Sequence, residues 1–197
     1  MSYFDDYTNM IGEALATVDR DKVEEMTAKL IELAKAGNPV LVCGNGGSAA
    51  IAEHMSCDHT KGVATDTDLK PFFIPLQSNV SMLTAIANDF GYNEVFRKQI
   101  KMFPNKNAGV LAISSSGKSG NIFNALDIAR FYKMPTMAMV GFDGGSVVDW
   151  KVAEIVIHVK SNNYGIVEDC HQIIMHSMAQ SIRLAHYAHA PYQTIKL

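Results

Sequence analysis

Two short runs of the chain carry the residue types that do chemistry. His54 and Asp58 lie four apart, which in a helix puts them on one face. Far along the chain, Glu168, Asp169, His171, Gln172 and His176 crowd the start of an otherwise apolar stretch. Glu168, Gln172 and His176 are spaced by four and form one stripe. If the two runs meet, they join two imidazoles (His54, His176) and two carboxylates (Asp58, Glu168). That set suits a divalent metal such as Zn²⁺ or a general acid–base pair. A lone histidine on a helix is more often a hydrogen-bonded core or surface residue. His59, His158, His186 and His189 have no such company and are read as surface or structural.

Two loops offer the complementary chemistry, anion binding. The first is Gly44-Asn45-Gly46-Gly47-Ser48-Ala49. It follows the apolar run 40–43, which reads as a buried strand, and leads into an Ala-rich helix former. Glycines let the backbone approach a phosphate, and the first N–H groups of the helix point at it. Ser48 is placed where an N-cap residue sits. The loop is neither a Walker A sequence nor a full G-x-G-x-x-G. The second loop, 114–121, holds Ser114, Ser115, Ser116, Gly117, Lys118, Ser119, Gly120 and Asn121 after another apolar run. Either loop alone could be a capped turn without a ligand. Two of them after successive strands favour a phosphorylated small molecule, because ligands of open α/β sheets bind beyond the carboxyl ends of the strands.

These groups need a scaffold, and apolar periodicity supplies it. Strands are expected at 40–43, 71–76, 109–113, 135–140 and 155–159. Helices are expected after 47, at 78–88, 94–102, after 120, and over 166–189. Residues 3–36 read as a helical hairpin broken near 19–21, with Gly37-Asn38-Pro39 as the stop. Strands alternate with helices, so the expected fold is α/β, a three-layer αβα sandwich with a mainly parallel, flavodoxin-like sheet. The hairpin has no slot in such a sheet and must pack on a face of the domain or on another subunit. The chain has 197 residues, which suits one domain, with 1–37 as hairpin and 38–197 as core. Net charge is −3 with no basic stripe, so nucleic acid is not an expected partner. No apolar run approaches the ~20 residues that span a bilayer, so no membrane is expected. Three cysteines, Cys43, Cys57 and Cys170, lie far apart and read as reduced thiols of a cytoplasmic protein.

The motifs resemble those of the sugar isomerase (SIS) domain and, within it, the phosphoheptose isomerases, over nearly the whole chain. Gly44-Asn45-Gly46-Gly47-Ser48-Ala49 looks like that family's first motif. Asn88-Asp89-Phe90-Gly91-Tyr92 is similar to its middle motif, and 114–121 resembles its phosphate loop. The resemblance implies interconversion of sedoheptulose 7-phosphate and a manno-heptose 7-phosphate, for heptose supply to a surface polysaccharide. It implies a homotetramer built partly by the hairpin. It implies phosphate binding by Ser48, Ser114, Ser116 and Ser119, with Asn45 and Asp89 on the sugar. Gly46, Gly47, Ser115 and Asn121 of the same loops complete the expected substrate set. Zn²⁺ is implied on His54, Asp58, Glu168 and His176, with Asp58 or Glu168 as base and His176 as acid. The chain departs from the family at Asp58 (Glu in the family), Glu168 (usually Gln) and Lys118 (Asn), and Lys61 is the nearest cation to an expected arginine. The alternatives are an isomerase of another ketose phosphate, or a non-catalytic SIS module that binds a sugar phosphate or a replication initiator. Retention of His54, a carboxylate at 58 and His176 favours the enzyme, since a scaffold needs none of them.

Overall fold

The computed structural model describes residues 2–187. Helix α1 (Tyr3–Ala16) starts in a capping box: Asp5 N–H donates to the Ser2 hydroxyl, and Ser2 N–H donates to the Asp5 carboxylate at 2.8 Å. Asp19 caps α2 (Arg20–Lys35) by accepting from Asp21 N–H at 3.0 Å. Gly37, at φ +69°, turns the chain out of that helix. There follow β1 (Val40–Gly44), α3 (Gly47–Cys57), a π-helical turn (Asp58–Gly62) and β2 (Phe73–Pro75). Next come α4 (Val80–Phe90), a 3₁₀ turn (Tyr92–Glu94), α5 (Val95–Met102), β3 (Gly109–Ser114) and α6 (Gly120–Phe131). The described chain closes with β4 (Thr136–Val140), α7 (Gly145–Asp149), β5 (Ile155–His158) and α8 (Tyr164–His186).

The five strands are all parallel, in the order β2-β1-β3-β4-β5. Both faces are covered, so alternate residues of each strand enter two cores. Val40, Val42, Leu111, Ile113, Met137 and Met139 face α1, α2, α3 and α8. Leu41, Cys43, Val110, Ala112, Ala138 and Val140 face α4, α5, α6 and α7. The hairpin packs on a face of its own domain, α1 against α8 and α2 against α8 and β5. Met26, Leu30 and Leu33 are buried there, each worth ~1.5–3 kcal/mol of apolar burial.

The order of strand addition reverses between β1 and β3. β1 leads outward to β2, while β3 leads the other way to β4 and β5, and Gly44 lies opposite Ile113. The two strands therefore end level, and the loops that leave them diverge around a crevice. The expected elements recur, with corrections at their ends. Helix α4 runs through Asn88, Asp89 and Phe90, and the break comes at Gly91, φ +90°. Helix α7 lies between the strands expected at 135–140 and 155–159, where no helix is expected from the sequence. It starts after Gly144, whose φ of +80° suits a residue without Cβ.

Candidate active site

The crevice holds a cavity of about 280 Å³ between the ends of β1 and β3. Asn45, Gly46, Gly47 and Ser48 line it from the first loop, and Ser114, Ser115, Ser116 and Ser119 from the second. Gly46, at φ +56°, is the N-cap of α3, so Ser48 is not the cap; it lies buried in the first turn. A Cβ on Gly44 would meet the Ser48 carbonyl carbon at 2.6 Å, so α3 crosses the end of β1 too closely for any other residue. Ser114 Oγ accepts from Gly117 N–H at 3.1 Å and shapes the second loop. Ser119 is the N-cap of α6, yet its hydroxyl makes no capping bond. That leaves hydroxyl and helix N–H groups together for an anion. Among the described residues, no lysine or arginine lines the cavity. Lys118 instead turns outward and pairs with Asp143 at 2.7 Å.

Helix α8 forms the opposite wall, with Tyr164 and Glu168 facing the cavity. Tyr164, Glu168, Gln172 and His176 repeat every four residues over about 18 Å of helix. Glu168 Oε1 accepts from the Ser115 hydroxyl at 3.3 Å, and its carboxylate lies directly over Gly47. Farther along, His176 meets α3, and the two histidine rings stand edge to face with centroids 4.9 Å apart. Asp58 Oδ2 lies 3.2 Å from His176 Nε2 and 3.4 Å from His54 Nε2. Each of these three residues offers a ligand atom within 4.8 Å of the others. Asp58 opens the π-helical turn, a feature frequent at functional sites.

Four expected site residues fall elsewhere or behave otherwise. Glu168 lies with the serine cradle rather than in the His54–Asp58–His176 group. Asn121 is buried behind the cavity wall; its amide pairs reciprocally with that of Asn45, both bonds 2.9 Å. Asn45 Oδ1 also accepts from the Tyr92 hydroxyl at 2.9 Å, so its amide is committed to tying three loops together. Asp89 is exposed and accepts from Asn88 Nδ2; Gly91 turns the chain so that Tyr92, rather than Asp89, reaches the first loop. Tyr92, Tyr164 and Gln172 are site residues without an assigned role in the sequence reading, and the four-residue repeat of α8 is the signal that contains two of them.

The other polar residues nearby are structural. Asp169 accepts from the Tyr7 hydroxyl at 2.8 Å, joining α1 to α8 and pushing the Tyr7 pKa up to about 12. His59 is buried against Phe73, and burial lowers its pKa to about 4. His171 is also buried, with its pKa lowered to about 4. His158 bonds the Phe142 carbonyl at 2.9 Å, His186 pairs with Asp68, and His189 lies outside the described residues.

Residues 2–141 match the model of the SIS domain. The phosphoheptose isomerase of Aliarcobacter butzleri is 36% identical over 172 residues, 87% of this chain and 89% of the relative. That of Colwellia psychrerythraea is 34% identical over 161 residues, 81% and 82% of the two chains. The chain belongs to the SIS-domain family, among the phosphoheptose isomerases. Solved phosphoheptose isomerases from Francisella tularensis and Neisseria gonorrhoeae share its fold, each with a TM-score of 0.80. They are 27% and 26% identical to it, and each comparison covers 91% of this chain and 94% of the other. No helix among the described residues is long and apolar enough to cross a membrane.

Proposed function

We propose that this chain is an aldose–ketose isomerase acting on sedoheptulose 7-phosphate, in the cytoplasm, for heptose supply to a surface polysaccharide. One observation carries the reading. A single face of α8 runs from a serine-lined anion cradle, past the Glu168 carboxylate, to a His–Asp–His group. The cradle takes the phosphate through hydroxyls and helix N–H groups. A carboxylate would repel that phosphate, so Glu168 belongs to the carbon end of the sugar.

Isomerisation needs a proton moved between neighbouring carbons. From the ketose side, a base removes a proton from C1, the C2 carbonyl oxygen gains one, and an enediol results. Returning a proton to C2 while the C1 hydroxyl loses its own gives the aldose. Glu168 is the base in this reading, because Asp58 is already engaged by both imidazoles. His176 is the acid.

The donor set fits Zn²⁺: two imidazoles and a carboxylate, at separations close to the ~3.4 Å edge of a tetrahedron with Zn–ligand bonds of about 2.0–2.1 Å. A cation held there would polarise the carbonyl and stabilise charge developing on its oxygen. The reading extends to residues 1–197 as one SIS domain and to a homotetramer. Support for the tetramer is the exposure of Tyr3 and Phe4 on α1 and Ile173 on α8; a monomeric mass by light scattering at micromolar concentration would refute it.

The test of function is turnover of C5 to C7 ketose phosphates in D₂O, with and without chelator. Conversion of the heptose phosphate with deuterium at C2 of the product, lost on chelation and restored by Zn²⁺, is expected. Binding without turnover of any of them in the presence of Zn²⁺ would favour a non-catalytic module.

A further inference from the structure

The second cradle loop is shaped from outside, by the loop after β4. That loop (141–144) and the first turn of α7 lie along it, backbone against backbone. A Cβ on Gly145 would meet the Gly117 carbonyl carbon and oxygen, each at 2.7 Å. Gly141 N–H donates to the Ser115 carbonyl at 2.9 Å. The Gly117 carbonyl accepts twice, from the Ser146 hydroxyl at 3.1 Å and from Val147 N–H at 3.3 Å. A trans peptide points its C=O and its N–H in opposite directions. With the Ser115 carbonyl drawn to the β4 side, Ser116 N–H points to the β1 side, where the crevice lies. With the Gly117 carbonyl drawn to α7, Lys118 N–H points away from α7 and donates to Ser116 Oγ at 3.3 Å.

We infer that Ser146 is a positioning residue for the phosphate cradle, orienting the Ser116 hydroxyl through the Gly117–Lys118 peptide. The inference rests on the reading of the cavity as a phosphate site and deepens it. Ser146 does not line the cavity, whereas Ser116 does. The connection runs from the Ser146 hydroxyl to the Gly117 carbonyl, across one rigid peptide plane, and from Lys118 N–H to Ser116 Oγ. Because Ser116 Oγ accepts from Lys118 N–H, its own proton is left to donate, and a hydroxyl that accepts a bond donates more strongly. An anion takes donors only, so this is the orientation a phosphate needs. Without the Ser146 bond the peptide keeps one anchor on its carbonyl, Val147 N–H, and is free to tilt. Lys118 N–H then leaves Ser116 Oγ, and the hydroxyl loses its orientation. The Lys118–Asp143 ion pair joins the same two loops, but its side chains are 61% and 64% exposed and water screens it. Ser146 is half-buried and forms its bond in a drier place.

The experiment is calorimetric binding of inorganic phosphate to the full chain, with chelator present and no sugar, so that it stands apart from the isomerase assay. Ser146→Ala should weaken phosphate binding about three- to tenfold. Ser146→Thr, which keeps the hydroxyl, should bind within about twofold of wild type. Ser116→Ala should weaken binding about tenfold or more. In that background Ser146→Ala should cost less than about twofold further, because both changes act through one hydroxyl. A general loosening of the loop would instead add its full cost. If Ser146→Ala does not fold, Ser146→Cys takes its place, since a thiol is a weaker donor to the same carbonyl and should also weaken binding. The inference alone is overturned if wild type binds phosphate and the Ser146 variant binds it equally well, if Ser146→Thr fails to restore binding, or if the losses at 146 and 116 add. A wild-type chain that binds no phosphate at millimolar concentration would overturn the cradle reading and the inference with it.

Discussion

Gly47 is the position where a single methyl group separates the chemistry of Glu168 from the stability of the fold. It is the first residue of α3, and its φ is not in the left-handed region, so alanine is compatible with the backbone. In helix propensity alone, Gly47→Ala is neutral or gains up to ~1 kcal/mol. The new Cβ would lie 2.5 Å from Glu168 Cδ and 2.7 Å from Oε1, and closer still to Oε2. Ordinary carbon contact is ~3.5–4.0 Å, so the carboxylate must move by about 1 Å or more. Because the obstacle is the end of a flexible side chain, folding should change by less than ~1 kcal/mol. Catalysis is less forgiving: a misplacement of ~1 Å can cost on the order of 10²-fold, about 2.7 kcal/mol in the barrier. The assay is kcat and KM for the heptose phosphate with Zn²⁺ present, beside a thermal melt. The expected result is kcat down about a hundredfold with Tm nearly unchanged. In a Glu168→Gln background the same change should cost little more, because both act through one group. Gly44→Ala is the contrast, since its Cβ meets Ala49 N at 2.9 Å and the Ser48 carbonyl carbon at 2.6 Å; this backbone cannot yield, and folding should suffer. A Gly47→Ala enzyme within about threefold of wild-type kcat would refute Glu168 as the base.

Ser119→Ala should raise KM about ten- to a hundredfold with little change in kcat or stability. Its hydroxyl makes no capping bond to lose, and a contact to a charged oxygen is worth ~1.5–3 kcal/mol; an unchanged KM would make the loop a plain turn. Acid stability should reflect His171. Burial lowers its pKa to about 4, the charge of His158 acts in the same direction, and the Val140 carbonyl raises it only in part. Below pH ~6.5 the unfolded chain takes up a proton that the folded chain refuses until about pH 4, so stability falls across that window. At pH 5 the loss is ~2 kcal/mol from this one residue. His171→Leu should flatten the fall in Tm between pH 7 and pH 5, and an unaltered slope would refute the assignment.

The parts of this molecule legible in its sequence are those set by backbone chemistry and burial. Apolar β-branched runs marked the strands, because a parallel sheet covered on both faces requires them. Two loops rich in glycine and serine marked the crevice, because close approach of backbone to an anion leaves few alternatives. Spacing put His54 with Asp58 on one helix face and His176 on the stripe of another helix, but that these faces meet is a property of the fold. What stayed hidden is set by where long side chains end and how the backbone departs from regularity. The π-helical turn at Asp58–Gly62 has no side-chain signature, and α7 is too short for periodicity to reveal. Asp89 lies only three residues from Tyr92, but Gly91 separates their directions.

Glu168 is the instructive case. Its spacing from His176 puts it on the stripe that also bears Gln172, so it reads as a fourth ligand beside His54, Asp58 and His176. Eight residues are about 12 Å along a helix axis. Over that distance α8 passes from the His54–Asp58–His176 group to the serine-lined cavity, where the Glu168 carboxylate accepts from the Ser115 hydroxyl. Helix periodicity reports which face a side chain is on. How far along that face a neighbouring helix makes contact is set by the packing of α3 on α8, which the spacing does not encode.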